Sequence, residues 1–184
     1  MKYWIETFTG KTFDYEDIES NKIDIIDIAH ALSMSCRFNG MCSSFYSVGE
    51  HSLLVGIEME RLYPNDKNLI LQALLHDATE AYMPDIPKPL KHYWETKFGI
   101  VGFEDRIMTH IYKQLGVIID NINHEEIKKL DNGLLMAERN TFFKNRHLWE
   151  FPKDTPKVNP IIIGYPPSLV KKKFLSYYFK WINK

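Results

Sequence analysis

Ala73-Leu74-Leu75-His76-Asp77-Ala78-Thr79-Glu80-Ala81 is the stretch on which the reading of this chain turns. Three ionisable side chains interrupt a run otherwise apolar enough for a protein core. Buried charges are costly unless they are paired or bound to a metal. Two adjacent potential ligands, His76 and Asp77, make a metal one economical explanation. A His-Asp-Glu cluster on a helix surface, without any ion, is the other. Asp66 is a good N-cap ahead of Lys67, and Pro84 cannot continue a regular helix, so the spacing predicts one helix from about residue 67 to Tyr82. On such a helix His76, Asp77 and Glu80 share one side, being four and three residues apart. A neutral imidazole nitrogen beside a carboxylate suits borderline divalent ions such as Zn, Co, Mn, Fe or Ni. Glu80 then hangs one turn further on, within reach of a metal-bound water.

Outward from that segment the chain reads as helical. Ile25, Ile28, Ala29 and Leu32 repeat at helical spacing within 23–36. Ser47 caps a helix starting near Val48, with Glu50 placed for a capping box and Leu53, Leu54 and Ile57 on the apolar face. Pro84, Pro87 and Pro89 impose a rigid loop. Further helices are expected over Val101–Leu115, stopping at Gly116, and over about His124–Phe143. Five of the nine prolines lie between Pro152 and Pro167, which reads as an extended connection. A last helix covers Ser168–Trp181, and its Lys171-Lys172-Lys173 run reads as a solvated face rather than a phosphate patch. Before all of this, Tyr3 to Phe13 reads as a short hairpin, with aromatic and β-branched residues flanking Thr9-Gly10. Gly10-Lys11-Thr12 lacks the upstream glycine of a phosphate loop.

The 184 residues suit one domain: an N-terminal hairpin region (1–22), a helical core (23–143) and a C-terminal helix (168–182). Apolar residues make up 45% and charged residues 26%, and the net charge is −1, so no global basic field exists to hold a nucleic acid polymer. The opening MKYWIETFTG has no long apolar run and no segment approaches a bilayer span, so a cytoplasmic protein without a membrane partner is expected. Cys36 and Cys42 read as reduced thiols. Of the remaining histidines, His30 reads as packed, His92 as near the proline loop, and His110, His124 and His147 as helix-surface residues. Glu138, seven after Asp131, reads either as support for the site or as a surface partner of Arg139 or a lysine.

The order His51, then His76-Asp77, then Asp131 resembles the HD-domain metal-dependent phosphohydrolase superfamily at all four ligand positions. Arg37-Phe38, fourteen residues before His51, is similar to the Arg-aromatic pair of bacterial 5′-deoxynucleotidases in that superfamily. That family usually has Trp where Phe38 stands, and Phe38 keeps a flat face for a base or sugar. Glu80 matches the family's catalytic acid, and Asp85 in Met83-Pro84-Asp85-Ile86-Pro87 matches a second acidic residue. The similarity spans roughly Ile23 to Arg139.

The resemblance implies an all-α HD-domain bundle and one divalent ion (Co, Mn, Zn, Fe, Ni or Mg) held by His51, His76, Asp77 and Asp131. It implies that Arg37 clamps a phosphate and that Glu80 handles the water or the leaving oxygen. Phe38, Asp85 and Lys88 would line the substrate. The implied substrate is a small nucleotide, foremost a deoxynucleoside 5′-monophosphate cut to nucleoside and phosphate. Related phage enzymes release triphosphate from dATP, which is the nearest alternative. A non-catalytic nucleotide-binding module of the same fold is the alternative of another class, and alarmones or cyclic nucleotides share the same chemistry. Family members assemble as dimers or larger rings, so a homo-oligomer is expected.

Overall fold

The computed structural model describes residues 3–99, 102–119 and 124–184. Among these, seven α-helices follow a two-stranded antiparallel hairpin. Strand β1 (Trp4–Glu6) pairs with β2 (Thr12–Asp14), with Ile5 opposite Phe13. Gly10 makes the turn at φ 80. Phe13 points inward and stacks on Tyr82 at 4.2 Å, which pins the hairpin to the helical body.

The helices are α1 (Ile25–Met34), α2 (Val48–Leu62), α3 (Lys67–Leu74), α4 (Lys88–Phe98), α5 (Phe103–Gln114), α6 (His124–Phe142) and α7 (Pro167–Ile182). Helix α2 is central and packs on α1, α3, α6 and α7. Ile28, Leu32, Val55, Met59, Ile70, Leu74 and Phe174 are fully buried where these helices meet. Ile57 falls outside that face and is exposed. Two N-caps act as their sequence positions suggest: Ser47 Oγ accepts from Glu50 N, and an Asp66 carboxylate oxygen accepts from Leu69 N. No helix among the described residues is long and apolar enough to cross a membrane.

Several expectations are corrected. Helix α3 stops at Leu74, not near Tyr82. The His76 ring explains the stop: its Nδ1–H donates to the Ala73 carbonyl at 2.8 Å, so a side chain competes with the backbone for that oxygen. His76 and Asp77 therefore lie in a turn, and Ala78–Ala81 is a separate 3-10 turn. The proline loop is shorter than expected, because Pro87 and Pro89 flank the start of α4. Proline is tolerated there, since first-turn N–H groups have no helical partner. Val101, expected to open the fifth helix, is outside the described residues. His110 is not a surface residue; it is buried and its Nε2 bonds the Asn21 carbonyl at 2.8 Å.

Glu50 also departs from the capping box. Its carboxylate turns away from its own helix and accepts three backbone N–H groups, from Ile163 (3.1 Å), Gly164 (3.1 Å) and Tyr165 (2.7 Å). The irregular segment before α7 is thereby strapped to the first turn of α2. Gly164 fits there at φ 73, where a Cβ would meet the Phe45 carbonyl oxygen at 2.6 Å.

The same segment presses on α6. A Cβ on Gly133 would lie 2.8 Å from the Pro156 carbonyl oxygen. Gly133→Ala should lower the urea midpoint, because overpacking costs about 1–3 kcal/mol against about 1 kcal/mol of gained helix propensity. A midpoint equal to the parent's would refute that tight contact.

Candidate metal centre

Four elements converge below the central helix. The first turn of α2 buries Val48, Gly49, Glu50, His51 and Ser52, so His51 points into the body rather than to solvent. The turn after α3 brings His76 and Asp77. Helix α6 brings Asp131 and, two turns on, Glu138. The turn Arg37–Gly40, whose last three residues have positive φ, brings Arg37.

Ligand-type atoms of His51, His76 and Asp77 all lie within 4.8 Å of one another, so this group could hold a metal ion. His51 Nε2 is 3.3 Å from His76 Nε2, 3.8 Å from Asp77 Oδ2 and 3.3 Å from Asp131 Oδ1. Each imidazole is held from behind: His76 Nδ1 by the Ala73 carbonyl, His51 Nδ1 by Glu138 Oε1 at 2.6 Å. Those partners can only accept from the rings, which turns both Nε2 lone pairs toward each other. Two lone pairs 3.3 Å apart repel unless a cation, a proton or a metal, lies between them. The donor set therefore fits a borderline divalent ion.

Glu138 lies beneath this group. It is fully buried, accepts from Tyr46 Oη at 2.8 Å and sits 3.3 Å from Arg37 Nε, a charge contact rather than an aligned hydrogen bond. Arg37 is itself buried, and its Nη1 reaches Asp77 Oδ2 at 3.4 Å. The reading of Glu138 as a surface partner of Arg139 is thus excluded. Arg139 turns away to Asn140 and the Phe151 ring. Tyr46 was missed by sequence reasoning; nothing marks it except its place beside the capping Ser47.

The electrostatics separate the carboxyl groups. Burial works against ionised Asp77, but His76, His51 and Arg37 outweigh it and hold the group at about 2. Burial likewise opposes ionised Asp131 and Glu138. His51 and its neighbours keep Asp131 well below the usual range, and Arg37 and His51 lower Glu138. Glu80 goes the other way: burial, then the Asp77 and Asp85 carboxylates, push it up to about 10. Its Oε2 is buried with no hydrogen-bond partner among the described residues. Burial also raises Asp85, against the Arg37 charge.

Burial and the Arg37 charge act to lower His51. The Glu138 carboxylate and hydrogen bonds to Asp131 and Glu138 overcome them and raise it to about 9. That shift favours a protonated His51 ring, whose Nε2 faces Asp131 Oδ1 and His76 Nε2 at 3.3 Å each.

The remaining expected residues take up several positions. Phe38 lies beside the Arg37 guanidinium at 5.2 Å and meets Phe143 and Trp149 edge-on at 5.0 and 6.1 Å. The Lys88 side chain lies outside the described residues. Lys91 is ion-paired with Glu104. His92 is exposed, and His30 stacks on Phe8 at 3.8 Å, far from any role in the group.

No family model matches the chain. It is 49% identical over 88 residues to the uncharacterized protein YfdR of Escherichia coli K12, across 48% of this chain and 46% of that protein. It is 35% identical over 117 residues to an uncharacterized protein of Rhodobacter capsulatus, across 62% of this chain and 59% of the other. The chain thus spans about half the length of the curated relatives it matches.

Proposed function

We propose that the chain is a metal-dependent phosphohydrolase of the HD type acting on small nucleotides, foremost deoxynucleoside 5′-monophosphates. The observation that carries this reading is the pair of back-braced imidazoles, His51 and His76, with their Nε2 atoms 3.3 Å apart beside ionised Asp77 and Asp131. Those four side chains would hold one divalent ion. When bound, the ion supplies Lewis acidity at a phosphate oxygen and a lowered pKa for a water.

The chain's own residues supply the rest. Arg37, fixed by Glu138 and Asp77, offsets the charge of a phosphate and orients it. Glu80 holds a proton near neutral pH and presents it to the leaving oxygen. Asp85 would contact the sugar hydroxyl. Phe38 gives the base or sugar a flat wall. Among the described residues Arg37, itself paired with Asp77 and Glu138, is the cation placed to meet a phosphate, and Lys91 is paired with Glu104.

Mass spectrometry of products from dAMP and dATP with Mn or Co decides the matter. Deoxyadenosine and phosphate from dAMP are expected. Tripolyphosphate from dATP with dAMP untouched would replace this substrate by the triphosphate. A parent protein without turnover over a nucleotide panel would leave a non-catalytic binding module.

Metal uptake should be pH-dependent. The ion must displace the His51 proton, which is present below about 9. Apparent affinity should therefore rise about tenfold per pH unit up to that value and then level off. Asp77 and Asp131 are already ionised across that window and add no slope. Calorimetric titration in buffers of different ionisation enthalpy should detect one proton released per ion bound. Release of none at pH 7 would contradict a protonated His51.

A further inference from the structure

Cys36 and Cys42 bracket the turn that carries Arg37 and Phe38. Neither is in a disulfide, both side chains are partly exposed, and their sulfurs lie 3.6 Å apart. Residues six apart on an extended chain would stand roughly 20 Å from each other. The approach is made by three consecutive left-handed residues, Phe38 (φ 56), Asn39 (φ 52) and Gly40 (φ 74). Two of them lack the freedom of glycine, so the turn is held against a local preference.

What holds it is on every side. Arg37 N–H donates to the Tyr46 carbonyl at 2.9 Å, Met41 N–H donates to the Phe38 carbonyl at 3.0 Å, and Cys36 bridges to Ser47. The sulfurs need about 1.5 Å of further approach to reach a bond of about 2.05 Å, which is within side-chain rotation.

We propose that Cys36 and Cys42 form a reversible dithiol–disulfide pair, closed by a low-molecular-weight disulfide such as oxidised glutathione, that locks the turn bearing Arg37. One cysteine thiolate attacks the oxidant and expels one small thiolate. The other cysteine then attacks the mixed disulfide and expels the second. Two S–H bonds of the protein are lost, one S–S bond forms, and the oxidant leaves as two thiols carrying the two electrons and both protons. Burial and the neighbouring Cys36 thiol hold the Cys42 thiol above its ordinary range, so closure quickens as pH rises.

Incubating the intact native protein with oxidised glutathione tests this by mass and by amide exchange, independently of any nucleotide activity. The parent should lose two hydrogens without a glutathione adduct and regain them with dithiothreitol. Cys42→Ser should instead retain glutathione on Cys36. Amides of 37–46 should exchange about tenfold more slowly in the oxidised form, because local opening that parts the two sulfurs is blocked. A stable adduct on the parent, closure only in denaturant, or exchange rates unchanged by closure would each overturn the proposal.

Discussion

Replacing Glu138 by alanine is expected to remove about 3–5 kcal/mol of stability, the usual cost of stripping one partner from a buried ion pair. Glu138 has no exposure to solvent, and three groups depend on it: Tyr46 Oη at 2.8 Å, His51 Nδ1 at 2.6 Å and Arg37 Nε at 3.3 Å. Without it Arg37 keeps Asp77, at 3.4 Å, and the field of Asp131, so the cost should fall toward the lower end of that range. Under the metal reading the same change frees the His51 ring, and metal affinity should drop about 10–100-fold.

The acid branch of the stability curve offers a second readout. Glu138 is held below its ordinary 4.5, so its contribution is present above that pH and is lost as pH falls through the depressed value. That part of the acid transition should vanish in the alanine variant. Glu138→Gln separates the roles, since it keeps an acceptor for Tyr46 but removes the charge facing Arg37. Urea unfolding of both variants at pH 7 and pH 4 is the measurement. A loss under about 1 kcal/mol at pH 7 would show that the buried network is not what holds Arg37 in place.

Glu80→Gln should have the opposite signature. Activity should fall about 10²–10⁴-fold, the range for removing a proton-transfer group, while metal binding persists because Glu80 is not among the ligands. Stability of the ion-free protein should rise. A carboxyl pushed up to about 10 favours the folded state only while protonated. Its cost begins above the ordinary 4.5 and grows until about 10, so the parent loses stability with rising pH where the amide does not. Full activity in Glu80→Gln would remove Glu80 from the chemistry. A parent and variant with parallel stability curves between pH 5 and 9 would instead argue against the burial of Glu80 beside the Asp77 and Asp85 carboxylates.

Much of the fold was legible because local signals and tertiary contacts agree. Ser47 and Asp66 are capping residues both by type and in fact, and the helical periods of α1, α5, α6 and α7 survive into the structure with shifted ends. The failures have local causes. The apolar period runs past Leu74, but the His76 imidazole takes the Ala73 carbonyl and ends the helix. Prolines 87 and 89 look like loop residues, yet both are acceptable at a helix start.

The site was legible as a set of candidate ligands in order, not as an arrangement. The spacing argument put His76, Asp77 and Glu80 on one helical face. They converge instead through a turn and a 3-10 segment. The sevenfold spacing of Asp131 and Glu138 placed both on one face, but only packing against α2 shows that Glu138 braces His51. Tyr46 and the burial of Arg37 carry no sequence signal, because both depend on contacts across 92 and 40 residues of chain.

The strap on Glu50 bears on how the molecule is made. Its three hydrogen bonds join residues 113–115 positions apart, and they seal the turn of α2 that presents His51. A chain emerging from the ribosome at about 5–20 residues per second has α2 outside long before residue 165 follows. During that interval the buried Glu50 carboxylate has no N–H donors from the strap, and the end of α2 nearest His51 stays open to water. Nascent chains arrested before the strap should therefore be cleaved by protease around 44–52, and chains arrested after it, with α7 also released, should resist.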